Sequence, residues 1–85
     1  MDVQTVTGVI TEILTTKYDV EPDRITPDAR FADLELDSLV LAEMSVILSS
    51  RLGIEVGDDE LAEAGAVGAA AEALSARLIP QAATA

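Results

Sequence analysis

The sequence contains no cysteine and no histidine. Without cysteine there is no disulfide framework, no thiolate metal site and no cysteine nucleophile. Without histidine the commonest general base and metal ligand is missing, and the usual serine triad cannot be built. Tryptophan is absent too, with a single Phe and a single Tyr. The core is therefore aliphatic, made of Val, Ile, Leu, Ala and Met. Basic residues are scarce: 5 Lys and Arg stand against 16 Asp and Glu, for a formal charge of −11. That balance argues against a nucleic-acid partner, where cations must replace released counterions. It favours solubility and partners with basic surfaces. No window approaches the ~20 apolar residues of a membrane span. The opening Met1-Asp2-Val3-Gln4-Thr5-Val6 lacks the basic and apolar regions of a secretory signal. A soluble, cytoplasmic protein with no membrane partner is the expectation.

What is present is 49% hydrophobic residues in 85, enough for one small domain with a simple core. Val3, Val6, Val9, Ile10, Ile13 and Leu14 recur at helical spacing and form one stripe. They predict a helix over residues 3–17 with Asp2 as N-cap. Residues 18–37 show no period. Pro22 and Thr26-Pro27-Asp28 mark turns there, and Ala32-Asp33-Leu34 fits a single helical turn. A loop of this length in a compact domain is usually functional or disordered. The apolar residues scattered through it (Val20, Ile25, Phe31, Leu34 and Leu36) predict an ordered loop packed across the helices.

A second helix is predicted from Ser38 to Leu52, ending at Gly53. Leu41, Met44, Leu48 and Leu52 share one side, flanked by Val40 and Ile47. Leu39, Ala42, Glu43 and Val46 lie opposite, with Ser49 and Ser50 nearby. A helix apolar around most of its circumference is normally buried, yet so short a chain hardly encloses one. Either the Leu39/Val46 side meets something outside the chain, or the later helices cover it. Asp58 to Glu63 reads as one or two helical turns with acids at the favourable end, stopped by Gly65. Val67, Ala71, Leu74 and Leu78 mark a last helix over residues 67–78, stopped by Pro80. The expected fold is all-α: a small four-helix bundle of three longer helices and one short one, with a long first loop. One domain spans residues 1–79, and residues 80–85 form a disordered tail.

The inventory of possible chemistry is short. Gly-x-Ser-x-Gly and phosphate-loop patterns are absent, and no spacing isolates two carboxylates in an apolar pocket. Asp33, Glu35 and Asp37 alternate as in part of a calcium loop, but the full pattern fails. Direct catalysis is not expected. Ser38, at the head of the second helix, offers something else. A phosphate joined to its hydroxyl would meet unpaired backbone N–H groups and the positive end of the helix dipole. The plainer alternative is that Ser38 or Asp37 serves only as an N-cap.

The step Asp37-Ser38-Leu39 sits after a long ordered loop and before an apolar helix, in a short acidic chain. With Phe31-Ala32-Asp33-Leu34-x-Leu36 before it, and Leu52-Gly53-Ile54-x-Val56 and Asp58-Asp59-Glu60-Leu61 after it, the chain resembles the acyl carrier protein family. The resemblance extends over residues 3–79 and favours a free-standing, polyketide-synthase-like member. It implies that Ser38 receives 4′-phosphopantetheine from coenzyme A through a separate Mg²⁺-dependent phosphopantetheinyl transferase, with Asp37 and Leu39 flanking the attachment point. The arm's thiol then carries acyl or polyketide intermediates as thioesters, which fits a chain without cysteine. Ketosynthase, acyltransferase and other pathway enzymes are the implied partners of a monomer. Leu39, Val40, Glu43 and Val46 are the implied contacts. Leu41, Met44, Leu48, Ala71 and Leu74 are candidates to line an acyl groove.

Three departures shape the expectation. The second helix has Glu43 and then Ser49, Ser50 and Arg51 where fatty-acid carriers crowd acids, so recognition leans on apolar contacts. Leu36, where a peptidyl carrier would have glycine, makes that class less fitting. Gly65-Ala66 replace the threonine cap expected before the last helix, which predicts a looser start there. The alternatives are a fatty-acid or aminoacyl/peptidyl carrier, or an unmodified acidic helical docking module.

Overall fold

The structure is a computed structural model and describes residues 2–78. Four helices follow in order: α1 (Val3–Thr16), α2 (Ser38–Leu52), α3 (Asp58–Ala64) and α4 (Val67–Leu78). The expected bundle of three longer helices and one short one is what forms. The stop at Pro80 and the tail over residues 80–85 lie outside the described residues.

Local chemistry sets most boundaries. Asp2 has extended backbone and accepts from Thr5 N at 2.8 Å, which starts α1. That hydrogen bond holds the Asp2 carboxyl below its ordinary pKa. Gly53 (φ 72°) and Gly65 (φ 74°) adopt the left-handed conformation that ends α2 and α3. A side chain there would be strained, which is why glycine closes both helices. Asp58, Asp59 and Glu60 occupy the first turn of α3, where the dipole favours them.

Helix α1 lies chiefly against α4, and α2 chiefly against α3. The stripe on α1 buries Val6, Ile10, Ile13 and Leu14, but Val3 stays 40% exposed. It sits at the first helical position, beyond the edge of the core. The loop between α1 and α2 is ordered by two 3-10 turns, Pro22–Arg24 and Ala32–Leu34. Its Val20, Phe31, Leu34 and Leu36 are buried in the core, with Ile25 packed against it. The loop thus behaves as a fifth packing element, and apolar burial outweighs its lack of regular structure.

Two expectations need correction. Ser49, grouped by the helical wheel with the outer side of α2, faces inward enough to bond the link to α3: its hydroxyl accepts from Val56 N at 2.9 Å and donates to Ser45 O at 2.7 Å. Helix α4 does not start loosely. Val67 N donates to Ala29 O and Gly68 N to Pro27 O, both at 2.9 Å. Loop carbonyls supply the cap that no side chain provides.

Candidate functional site at the head of α2

The site is built by a reversal of the chain before α2. The turn Ala32–Leu34 ends at Glu35, a non-glycine residue in left-handed backbone (φ 62°). Phe31 O accepts from Leu34 N at 3.1 Å and from Leu36 N at 3.0 Å, which closes this turn on itself. Leu36 drops into the core, and Leu41 does so one turn into the helix. Between these two anchors Asp37, Ser38 and Leu39 form an exposed ledge.

The two candidate caps are now distinguishable. Asp37 has extended backbone, and its Oδ1 accepts from Val40 N at 3.0 Å, while its carbonyl accepts from Leu41 N at 2.9 Å. Asp37 is the N-cap, and Ser38 is the first helical residue. Among the described residues the Ser38 hydroxyl has no hydrogen-bond partner, and neither do the Ser38 and Leu39 backbone N–H groups. An exposed hydroxyl therefore stands beside two free donors at the positive end of a 15-residue helix. This arrangement fits a phosphodiester on Ser38 Oγ.

The outer face of α2 stays uncovered by the rest of the described chain. Leu39 is 72% exposed and Val46 70%. Val40 is half-buried at the core margin. Glu43 lies between Leu39 and Val46, but its carboxylate is engaged: Tyr18 donates its hydroxyl to Glu43 Oε1 at 2.8 Å. Burial, then the hydrogen bond and the negative charge of Glu43, push the Tyr18 phenol up to about 12. Farther along, Arg51 pairs with Glu12 at 3.0 Å. The two charges of this helix are thus both drawn toward α1 and its C-terminal end. Lys17, Glu43, Val46 and Ile47 border a shallow groove beside Val46.

The five candidates for an acyl groove, Leu41, Met44, Leu48, Ala71 and Leu74, all belong to the buried core. They pack together in one cluster. In so small a bundle, aliphatic side chains fill any space that nothing holds open. Among the described residues there is no group of three or more His, Cys, Asp or Glu placed to hold a metal ion. No helix among them is long and apolar enough to cross a membrane.

Tyr18 escaped the sequence reading, although its being the lone tyrosine, just past the end of α1, was a usable signal. Arg24, whose Nη2 donates to Asp33 O at 2.7 Å, carried no such signal.

Comparison with known proteins decides the family. The phosphopantetheine attachment site family matches residues 8–74. Acyl carrier protein MbtL of Mycobacterium tuberculosis is 34% identical over 74 residues, covering 86% of this chain and 88% of that protein. The chain belongs to the acyl carrier protein family. A second carrier relative, the meromycolate extension acyl carrier protein of Mycobacterium leprae, is 37% identical over 60 residues, covering 69% of this chain and 52% of that protein. Its counterpart from Mycolicibacterium aurum is 32% identical over 66 residues, covering 76% of this chain and 68% of that protein. The chain spans about half the length of the Mycobacterium leprae carrier. No solved structure gives a significant match. For a carrier of this family the α2 ledge is the region of interest, since the matched span includes both it and the loop that builds it.

Proposed function

We propose that this chain carries acyl intermediates as thioesters on a 4′-phosphopantetheine arm joined to Ser38 Oγ. The observation that carries this reading is the free, exposed Ser38 hydroxyl at the first turn of α2, left available because Asp37 does the capping. A serine needed only to start the helix would have its oxygen turned onto a backbone N–H. The arm supplies a terminal thiol, which the chain itself lacks. The chain's own residues hold the attachment point. Leu36 and Leu41 anchor the ledge, Asp37 fixes the first turn, and the Ser38 and Leu39 N–H groups face the phosphate.

The arm comes from coenzyme A through a phosphopantetheinyl transferase. The serine oxygen forms the new bond to phosphorus, and adenosine 3′,5′-bisphosphate leaves. The serine proton passes to a base of the transferase. The transferase, and pathway enzymes such as a ketosynthase and an acyltransferase, dock on the face bearing Leu39 and Val46, with Val40 at its margin. Glu43 contributes less, being held by Tyr18. On this reading the carrier domain works in the cytoplasm as a monomer. The apolar face of α2 favours polyketide-type partners. The mycobacterial relatives, one of them named for meromycolate extension, favour a fatty acyl cargo as the second reading. Loading assays with polyketide and fatty-acid partner enzymes separate the two.

The deciding experiment is intact mass after incubation with coenzyme A, Mg²⁺ and a broad-specificity transferase. The wild type should gain one phosphopantetheinyl group, and Ser38→Ala, equally helical by circular dichroism, should gain none. A folded wild type that gains nothing points instead to a docking module.

A further inference from the structure

We infer that the corner between α3 and α4, with Gly68 at its centre, positions Ser38 for modification; the inference rests on Ser38 being the attachment site. The loop before α2 is laced to that corner along its length. Gly68 N donates to Pro27 O and Val67 N to Ala29 O, each at 2.9 Å. Arg30 and Ala66 form an antiparallel bridge, and Phe31 N donates to Gly65 O at 2.9 Å. The Phe31 carbonyl then receives the Leu34 and Leu36 N–H groups, and Asp37 follows to cap α2. A continuous run of main-chain contacts therefore joins the first turn of α4 to the first turn of α2. Arg24 adds an exposed strap, its Nη2 2.7 Å from Asp33 O, which ties the two 3-10 turns together.

This lacing depends on residue 68 having no side chain. A Cβ there would lie 2.7 Å from Pro27 O and 3.1 Å from Pro27 Cβ. The obstructing atom is backbone, so no side-chain rotation relieves the clash, and the loop itself has to move. Gly8 in α1 is the contrast, since a Cβ there meets nothing within 4 Å. Alanine is the better helix former at either position. Helix propensity alone thus treats the two glycines alike, and only the loop contact sets Gly68 apart. A displaced loop carries Leu36 and Asp37 with it. Group transfer is sensitive to such displacements, with ~100-fold losses for a 1 Å misplacement.

The test compares wild type, Gly68→Ala, Gly8→Ala and Arg24→Gln well below their melting temperatures. It measures kcat/KM for transfer from coenzyme A by a broad-specificity transferase, together with the backbone amide NMR shifts from Leu36 to Leu41. Gly68→Ala should lower kcat/KM about tenfold and shift the Ser38 and Leu39 amides. Gly8→Ala should match the wild type, and Arg24→Gln should show a smaller loss of about threefold with shifts at the same amides. A folded Gly68→Ala protein with wild-type kcat/KM, and shifts confined to the loop and the α3–α4 corner, overturns the inference. If Gly68→Ala does not fold, Gly65→Ala, strained at φ 74° where the corner receives Phe31 N, decides by the same amides: shifts at Ser38 support the inference and their absence overturns it. A wild type that accepts no arm refutes the reading of Ser38 itself, and the amide shifts alone then decide whether the corner positions that residue.

Discussion

Leu39 keeps 72% of its surface exposed, so little more than a quarter of it contributes to folding. Full burial of a leucine stabilises by about 1.5–3 kcal/mol, so Leu39→Ala should cost under about 1 kcal/mol. That corresponds to a fall in melting temperature of under about 8 °C, at roughly 4–8 °C per kcal/mol in a domain of this size. Docking is a different matter, because a partner would bury the rest of the side chain. The same coefficient then gives about 1–2 kcal/mol, a loss of about 5- to 30-fold in kcat/KM for loading. Val46, 70% exposed and two turns on, should behave alike. At ~10 Å along the helix the two sites are far enough apart for their effects to multiply. The assay is the rate of mass gain with the transferase and coenzyme A, beside urea unfolding of each variant. The reasoning fails if Leu39→Ala loads at the wild-type rate, or if it costs more stability than its buried fraction allows.

Two further predictions concern contacts that hold the site's surroundings. The Tyr18 phenol, pushed up to about 12 from 10.0, favours the folded state fully below pH 10 and loses that contribution as pH rises toward 12. For a partly exposed ring this is on the order of 1 kcal/mol. Tyr18→Phe should flatten the alkaline fall in urea midpoint relative to wild type, and parallel curves would sink the assignment. Ser49→Ala leaves the buried Val56 N–H without its acceptor, at a cost of about 1–3 kcal/mol. It should speed hydrogen exchange at the Val56 amide, whereas Ser49→Thr, which keeps the hydroxyl, should behave nearly as wild type. Unchanged protection at Val56 in the alanine variant would contradict this.

Helix boundaries were readable because their causes are local. Asp2 and Asp37 cap within three residues of themselves, and Gly53 and Gly65 stop helices by their own backbone freedom. The turn at Ala32–Leu34 and the burial of Phe31, Leu34 and Leu36 followed from apolar residues placed in an otherwise polar loop. The motif Asp37-Ser38-Leu39 was likewise visible in one line of sequence. Ser49 was misplaced because a helical wheel assigns faces without knowing where the neighbouring link passes. The start of α4 was misjudged because its cap comes from carbonyls some forty residues earlier in the chain.

The sequence by itself determined an acidic, aliphatic, four-helix chain with one serine poised at a helix head, since composition, periodicity and capping act over a few residues. The tertiary structure alone decided that Leu39 and Val46 remain uncovered. It also decided that Tyr18 holds Glu43, that the groove candidates pack in one cluster, and that Gly68 admits the loop. Each of these depends on where separate segments cross, and the side chains or carbonyls that meet there are distant in the chain. Local propensity carries no information about such meetings; close packing of the assembled helices and loop creates them.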